Sequence, residues 1–152
     1  LCDAFKNAED VFFIGRSMDY GLAMEGSLKL KEISYIHAES YAGGELKHGT
    51  LSLIEKGIPV IALATQKDVE EKMISNIKEV KARDAYVIGV VQEGDTEVGK
   101  TVDSLIQVPQ SDNFVVTIMA IIPLQMLAYY IAVSRGNDVD KPRNLAKSVT
   151  VE

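Results

Sequence analysis

The stretch that decides the fold is Asp10-Val11-Phe12-Phe13-Ile14-Gly15-Arg16-Ser17-Met18-Asp19-Tyr20. Val11 to Ile14 is a short, β-prone apolar run that stops at Gly15, and it reads as a buried strand. Ser17 and Asp19 are both plausible N-caps for a helix starting there. From Asp19 to Ala38 there is no proline, and Leu22, Met24, Leu28, Ile33 and Ile36 recur at helical spacing. The spacing predicts one long helix over that range.

The same alternation continues along the chain. Gly43-Gly44 breaks the helical pattern, and Glu45 to Ile54 is expected as a second, shorter helix closed by Lys56-Gly57. Pro59 to Ala64 is a second apolar run, and Asp68 to Arg83 an amphipathic helix. Tyr86 to Val91 and Ser104 to Val108 supply two more strands. Asn113 to Ser134 reads as a long helix ended by Gly136, and Asn137 to Glu152 as a polar tail. Continuous apolar strands alternating with helices predict a mostly parallel sheet covered on both faces, a three-layer α/β/α sandwich. No internal repeat or low-complexity linker divides the chain.

The 152 residues make about one domain, and 47% hydrophobic with 25% charged residues is ordinary globular composition. A net charge of −6 argues against a nucleic-acid partner, which needs a basic surface. One cysteine, Cys2, excludes an intrachain disulfide framework, and with two histidines it makes a nitrogen- and sulfur-ligated metal site a poor expectation. Cys2 itself reads as incidental. The first ten residues do not form a signal peptide, so a cytoplasmic location is expected. Leu1 in place of a methionine suggests a piece of a longer protein.

Between Asp112 and Arg135 no residue is charged, which is long enough to span a bilayer at ~20 apolar residues. Three features oppose a membrane span: the soluble α/β pattern elsewhere, Pro123 in mid-segment, and no flanking basic cluster. The expectation is a helix buried on all sides, by its own sheet and by a partner subunit or domain.

Several side chains could carry chemistry. Glu25, Lys29 and Glu32 stand at i, i+4 and i+7 of the predicted helix, so they share one face with the lysine between two carboxylates. They form either a solvated charge stripe or a relay in which the lysine positions a carboxylate base. His37 falls at the predicted helix end, where a capping or packing role is usual. His48 lies in Gly43-Gly44-Glu45-Leu46-Lys47-His48-Gly49, a glycine-flanked setting that suits acid/base work. In the tail, Lys147 could form a Schiff base with a carbonyl, and Arg143 could clamp a phosphate or carboxylate. Gly15-Arg16-Ser17 follows the first strand, where open α/β sheets place a ligand crevice. It is too short for a phosphate loop, and neither a Walker pattern nor G-x-G-x-x-G occurs.

Gly15-Arg16, the run Ala23-Met24-Glu25-Gly26-Ser27-Leu28-Lys29-Leu30-Lys31-Glu32-Ile33-Ser34-Tyr35-Ile36-His37-Ala38-Glu39 and Gly44-Glu45-Leu46-Lys47-His48-Gly49 closely resemble the glucosamine-6-phosphate synthase family, the isomerizing glutamine–fructose-6-phosphate aminotransferases. The closing Asp140 to Glu152 is similar to that family's C-terminus. The resemblance implies that residues 1–152 are the second of two sugar-isomerase (SIS) domains, with a flavodoxin-like fold and residues 137–152 as an active-site tail. It implies conversion of fructose 6-phosphate and glutamine to glucosamine 6-phosphate and glutamate. By position, His48 resembles the ring-opening histidine lent by the neighbouring subunit of a homodimer. Lys147 resembles the Schiff-base lysine. Glu32 resembles the base that moves a proton between carbons 1 and 2, with Lys29 and Glu25 as helpers. Ala146 would contact the sugar through its backbone. The implied partners are the sugar phosphate, a first SIS domain and a glutaminase domain; neither nucleic acid, membrane, metal nor organic cofactor is implied. The family's Ser-x-Ser-Gly phosphate loop does not occur in this sequence. Two other readings remain open: a sugar-phosphate-binding regulatory module, and another sugar-phosphate isomerase or deglycase of the same fold.

Overall fold

A computed structural model describes residues 1–143. Its centre is a five-stranded, wholly parallel sheet in the order β2-β1-β3-β4-β5. The strands are β1 (Asp10–Gly15), β2 (His37–Ala42), β3 (Pro59–Ala64), β4 (Tyr86–Gln92) and β5 (Ser104–Val108). The helices are α1 (Met18–Ser34), α2 (Glu70–Lys81) and α3 (Asn113–Ser134).

Side-chain alternation along the strands builds two cores. Val11, Phe13, Ile61, Leu63, Ile88 and Val90 point to one face, where α1 and α3 cover them with Leu22, Leu30, Leu124 and Ile131. Phe12, Ile14, Val60, Ala62, Val87 and Val91 point to the other, beneath Met73, Ile77 and Val80 of α2. Each fully buried side chain of this kind contributes ~1.5–3 kcal/mol. The α/β/α sandwich is therefore as expected, with a sheet that is wholly rather than mostly parallel.

The turn from β1 into α1 depends on Gly15. A Cβ there would lie 2.3 Å from the Asp19 carbonyl oxygen. The chain then takes a left-handed step at Ser17, with φ 56°. Ser17 occupies the N-cap position of α1 without a side-chain capping bond, and Asp19 turns inward. At α3 the expected capping chemistry is present: Asp112 accepts from the backbone N–H groups of Phe114 and Val115.

Two expected helices change. The long helix does not reach Ala38. Tyr35 takes a left-handed conformation with φ 62°, and the Asn137 side chain donates to the carbonyls of Ile33 and Ser34, closing α1 there. His37 to Ala42 then pair with β1 as an edge strand. His37 accordingly opens a strand instead of ending a helix. It is exposed, with Nδ1 2.6 Å from Asp10 Oδ1, and this contact raises its pKa above the ordinary histidine value, with Glu39 adding to the effect. The helix expected over Glu45 to Ile54 is instead two 3-10 turns, Gly43–His48 and Thr50–Leu53, separated at Gly49.

The long apolar helix α3 docks one face into the core through Val116, Ala120, Leu124, Leu127 and Ile131. Its other face leaves Phe114, Ile118, Ile122, Met126, Tyr129 and Tyr130 exposed. Its own chain therefore provides only part of the burial expected for this helix.

Candidate active site

α1 presents Glu25, Lys29 and Glu32 on one face, as the spacing requires. Lys29 Nζ lies 3.0 Å from Glu32 Oε2 and 3.6 Å from Glu25 Oε1. All three side chains are about one-third exposed, which discounts the stabilising value of the pairs. The hydrogen bond to Glu32 raises the Lys29 pKa above the ordinary lysine value, so this lysine is a fixed cation and a poor nucleophile. Glu32 Oε1 has no hydrogen-bond partner among the described residues. A carboxylate anchored by one oxygen and open at the other is suited to moving a proton.

Glu25 also borders an apolar groove of about 280 Å³ between α1 and α3, with Met18, Leu22, Phe114 and Ile118 in its walls. The triad thus meets the exposed apolar face at its Glu25 end.

The other expected site residues are placed differently. His48 is exposed, and its Nδ1 lies 2.7 Å from Glu45 Oε2. Its turn packs on α2, across the sheet from α1, so this chain does not bring His48 to its own triad. Arg143 is held at the C-terminal end of α1. Its backbone N–H donates to the Tyr35 hydroxyl at 2.9 Å, and its guanidinium lies 3.9 Å from the centre of the Tyr35 ring. The root of the tail is therefore fastened three residues beyond Glu32. Lys147 and Ala146 lie outside the described residues.

Two arrangements escaped sequence reasoning. The first is a buried network at the carboxyl ends of β3 and β4. Asp19, only 1% exposed, accepts from the backbone N–H of Thr65 at 2.7 Å and from its hydroxyl at 2.6 Å. Gln66 donates through Nε2 to Thr65 Oγ1, Asn113 O and Thr117 Oγ1, and Gln92 ties the Thr65 carbonyl to Ser111 N–H. Burial pushes the Asp19 pKa up, against the pull of the Thr65 and Gln66 hydrogen bonds. In an open α/β sheet this is ligand-crevice territory, and here protein side chains fill it. The second is a cationic pocket around Arg16, Lys47 and Lys72. No sequence pattern joins residues so far apart.

The family model for the SIS domain matches residues 4–135. The chain belongs to the SIS domain family. This SIS domain is 59% identical over 150 residues to the isomerizing glutamine–fructose-6-phosphate aminotransferase of Symbiobacterium thermophilum, covering 99% of the chain and 25% of that relative. It is 56% identical to the enzyme of the same name from Methanosarcina acetivorans, over 99% of the chain and 24% of that relative. Among solved structures it superposes on the C-terminal domain of glucosamine-fructose-6-phosphate aminotransferase from Francisella tularensis with a TM-score of 0.85 and 39% identity, covering 92% of this chain and 40% of that one. The SIS domain thus spans about a quarter of the length of the curated relatives it matches.

Proposed function

We propose that this SIS domain is the second sugar-isomerase domain of a soluble, cytoplasmic, dimeric enzyme that makes glucosamine 6-phosphate and glutamate from fructose 6-phosphate and glutamine. The observation that carries the proposal is Lys29 held between Glu32 and Glu25, the latter at an apolar groove, in a chain so similar to the aminotransferases over its whole length. In this reading His48 opens the sugar ring in the neighbouring subunit, which accords with its outward position away from the local triad. Lys147 forms a Schiff base with the open-chain ketose, releasing water, and ammonia then displaces the lysine amine to leave a free imine at carbon 2. Glu32 then carries a proton between carbons 1 and 2, and Lys29 with Glu25 fixes its position. The Ala146 backbone contacts the sugar, and Arg143 anchors the tail that brings both residues over the site. The first SIS domain supplies the phosphate loop and covers the exposed face of α3, and the glutaminase domain supplies ammonia.

The test uses the whole enzyme with fructose 6-phosphate and ammonia, so that glutaminase chemistry does not enter. Glu32→Gln keeps the shape and hydrogen-bonding capacity of the side chain but removes the base. A loss of ~10²–10⁴-fold in glucosamine 6-phosphate formation is expected, with the melting temperature little changed. Lys147→Arg should also abolish turnover, since arginine cannot form the Schiff base. Activity within twofold of the parent for the Gln variant would overturn the assignment of the base.

A further inference from the structure

The cationic pocket lies across the sheet from the triad, at the carboxyl ends of β1 and β2. Arg16 follows β1 directly, and Gly43 and Gly44 follow β2. With Lys47, Lys72 and Ser75 they border a pocket of about 240 Å³. The pocket is assembled rather than accidental. Arg16 Nε donates to Asn76 Oδ1 at 2.8 Å, and Asn76 is only 5% exposed. A Cβ at Gly43 would lie 2.5 Å from that same Oδ1, so the Arg16–Asn76 bond depends on glycine there. A Cβ at Gly44 would stand 3.6 Å from Arg16 Nη1, against the guanidinium.

The charge balance of this pocket opposes that of the molecule. The chain carries a net −6, yet three cations meet here with a single acid, Glu79. Both oxygens of Glu79 are engaged: Oε1 lies 3.1 Å from Lys47 Nζ, and Oε2 accepts from Asn76 Nδ2 at 3.3 Å. The outer nitrogens of Arg16, the Lys72 ammonium and the Ser75 hydroxyl have no partner among the described residues. A half-buried guanidinium with its outer nitrogens open, bordering the same pocket as an ammonium and a hydroxyl, offers the donor chemistry that a phosphoryl group takes.

We propose that this pocket is a second anion site that takes a small molecule bearing a phosphate or diphosphate group. Occupying it braces the Gly43–His48 turn against α2, because the ligand would bridge Arg16 and Lys72 beside Lys47. The site stands apart from the reaction assigned to the triad: it lies on the opposite face of the sheet and is tested without turnover.

Inorganic pyrophosphate is the probe, titrated into the full 152-residue chain labelled with ¹⁵N. Saturable shifts are expected at the amides of Gly43, Gly44, Asn76 and His48, with affinity falling as salt rises. Arg16→Gln also removes the bond to Asn76, so the decisive variants are at Lys72. Lys72→Glu should weaken binding at least fivefold, and Lys72→Arg should stay within twofold of the parent. Shifts that do not saturate, shifts centred elsewhere, or equal affinity in the Glu variant would each overturn the proposal.

Discussion

Asp19 is a carboxyl in an environment far from the one water would give it. It is buried, and its pKa lies above the ordinary carboxylate value because desolvation outweighs the Thr65 and Gln66 hydrogen bonds. Between the unfolded value near 3.8 and the raised folded value, the native state holds a proton that the unfolded chain has lost. Stability contributed by this group is therefore greatest below 3.8 and declines as pH rises through the folded pKa. Asp19→Asn removes that titration while keeping one acceptor for Thr65. The measurement is urea unfolding of both chains in steps from about pH 3.5 to about pH 7, upward from near the unfolded value. The stability of the parent relative to the Asn variant should fall as pH rises; a difference that is constant, or that grows with pH, would refute the burial-dominated reading. His37 also has a raised pKa, but from a different cause: the pairing with Asp10 stabilises below the unfolded value near 6.5 and fades as pH rises through the folded one.

Among the elements, α1 combines a packing constraint with a display of chemistry. At Gly26 a Cβ would lie 2.9 Å from both Leu124 Cδ1 and Phe13 Cε1, so the approach of α1 to α3 and to the sheet requires the missing side chain. At Gly21 a Cβ would meet nothing within 4 Å. Gly26→Val should overpack this contact and lower stability by ~1–3 kcal/mol. Gly21→Ala should raise it by up to ~1 kcal/mol through helix propensity. Thermal unfolding of the two variants should therefore shift in opposite directions, and a Gly26→Val chain as stable as the parent would show that the helices part easily. Legibility in the sequence divides in the same way, between local and distant causes. Helical spacing placed Glu25, Lys29 and Glu32 on one face, and uninterrupted apolar runs revealed β1, β3 and β4. β2 was hidden because His37-Ala38-Glu39-Ser40-Tyr41-Ala42 is an edge strand with little apolar content, and because Ile36 prolongs the helical pattern past the end of α1. The stop at Tyr35 depends on Asn137, about a hundred residues away. The Arg16 pocket likewise joins three distant segments, which no local pattern encodes.

At the scale of the whole molecule, the outer face of α3 is the surface whose burial its own chain does not complete. Phe114, Ile118, Ile122, Met126, Tyr129 and Tyr130 are exposed together, with Met18, Met24 and Leu28 of α1 also exposed. An exposed apolar surface of this size rimmed by polar residues marks a contact surface. The helix has the length and hydropathy of a membrane span, but it packs extensively along α1 and lays its buried face on the sheet. Under the proposed function, a neighbouring domain of the same polypeptide covers this face. Without that neighbour, the 152-residue chain should associate through the face as its concentration rises, despite a net charge of −6. Replacing Ile118 and Ile122 by glutamate places charge in the middle of the patch without touching the buried side of α3, so it should return the chain to a monomer with native circular dichroism. The same double variant in the whole enzyme should lose assembly of the sugar site, because the groove beside Glu25 shares Ile118 with this face. Light scattering distinguishes the cases. A parent chain that stays monomeric at high concentration, together with a fully active double variant of the whole enzyme, would show that the face meets water and that no neighbouring domain covers it.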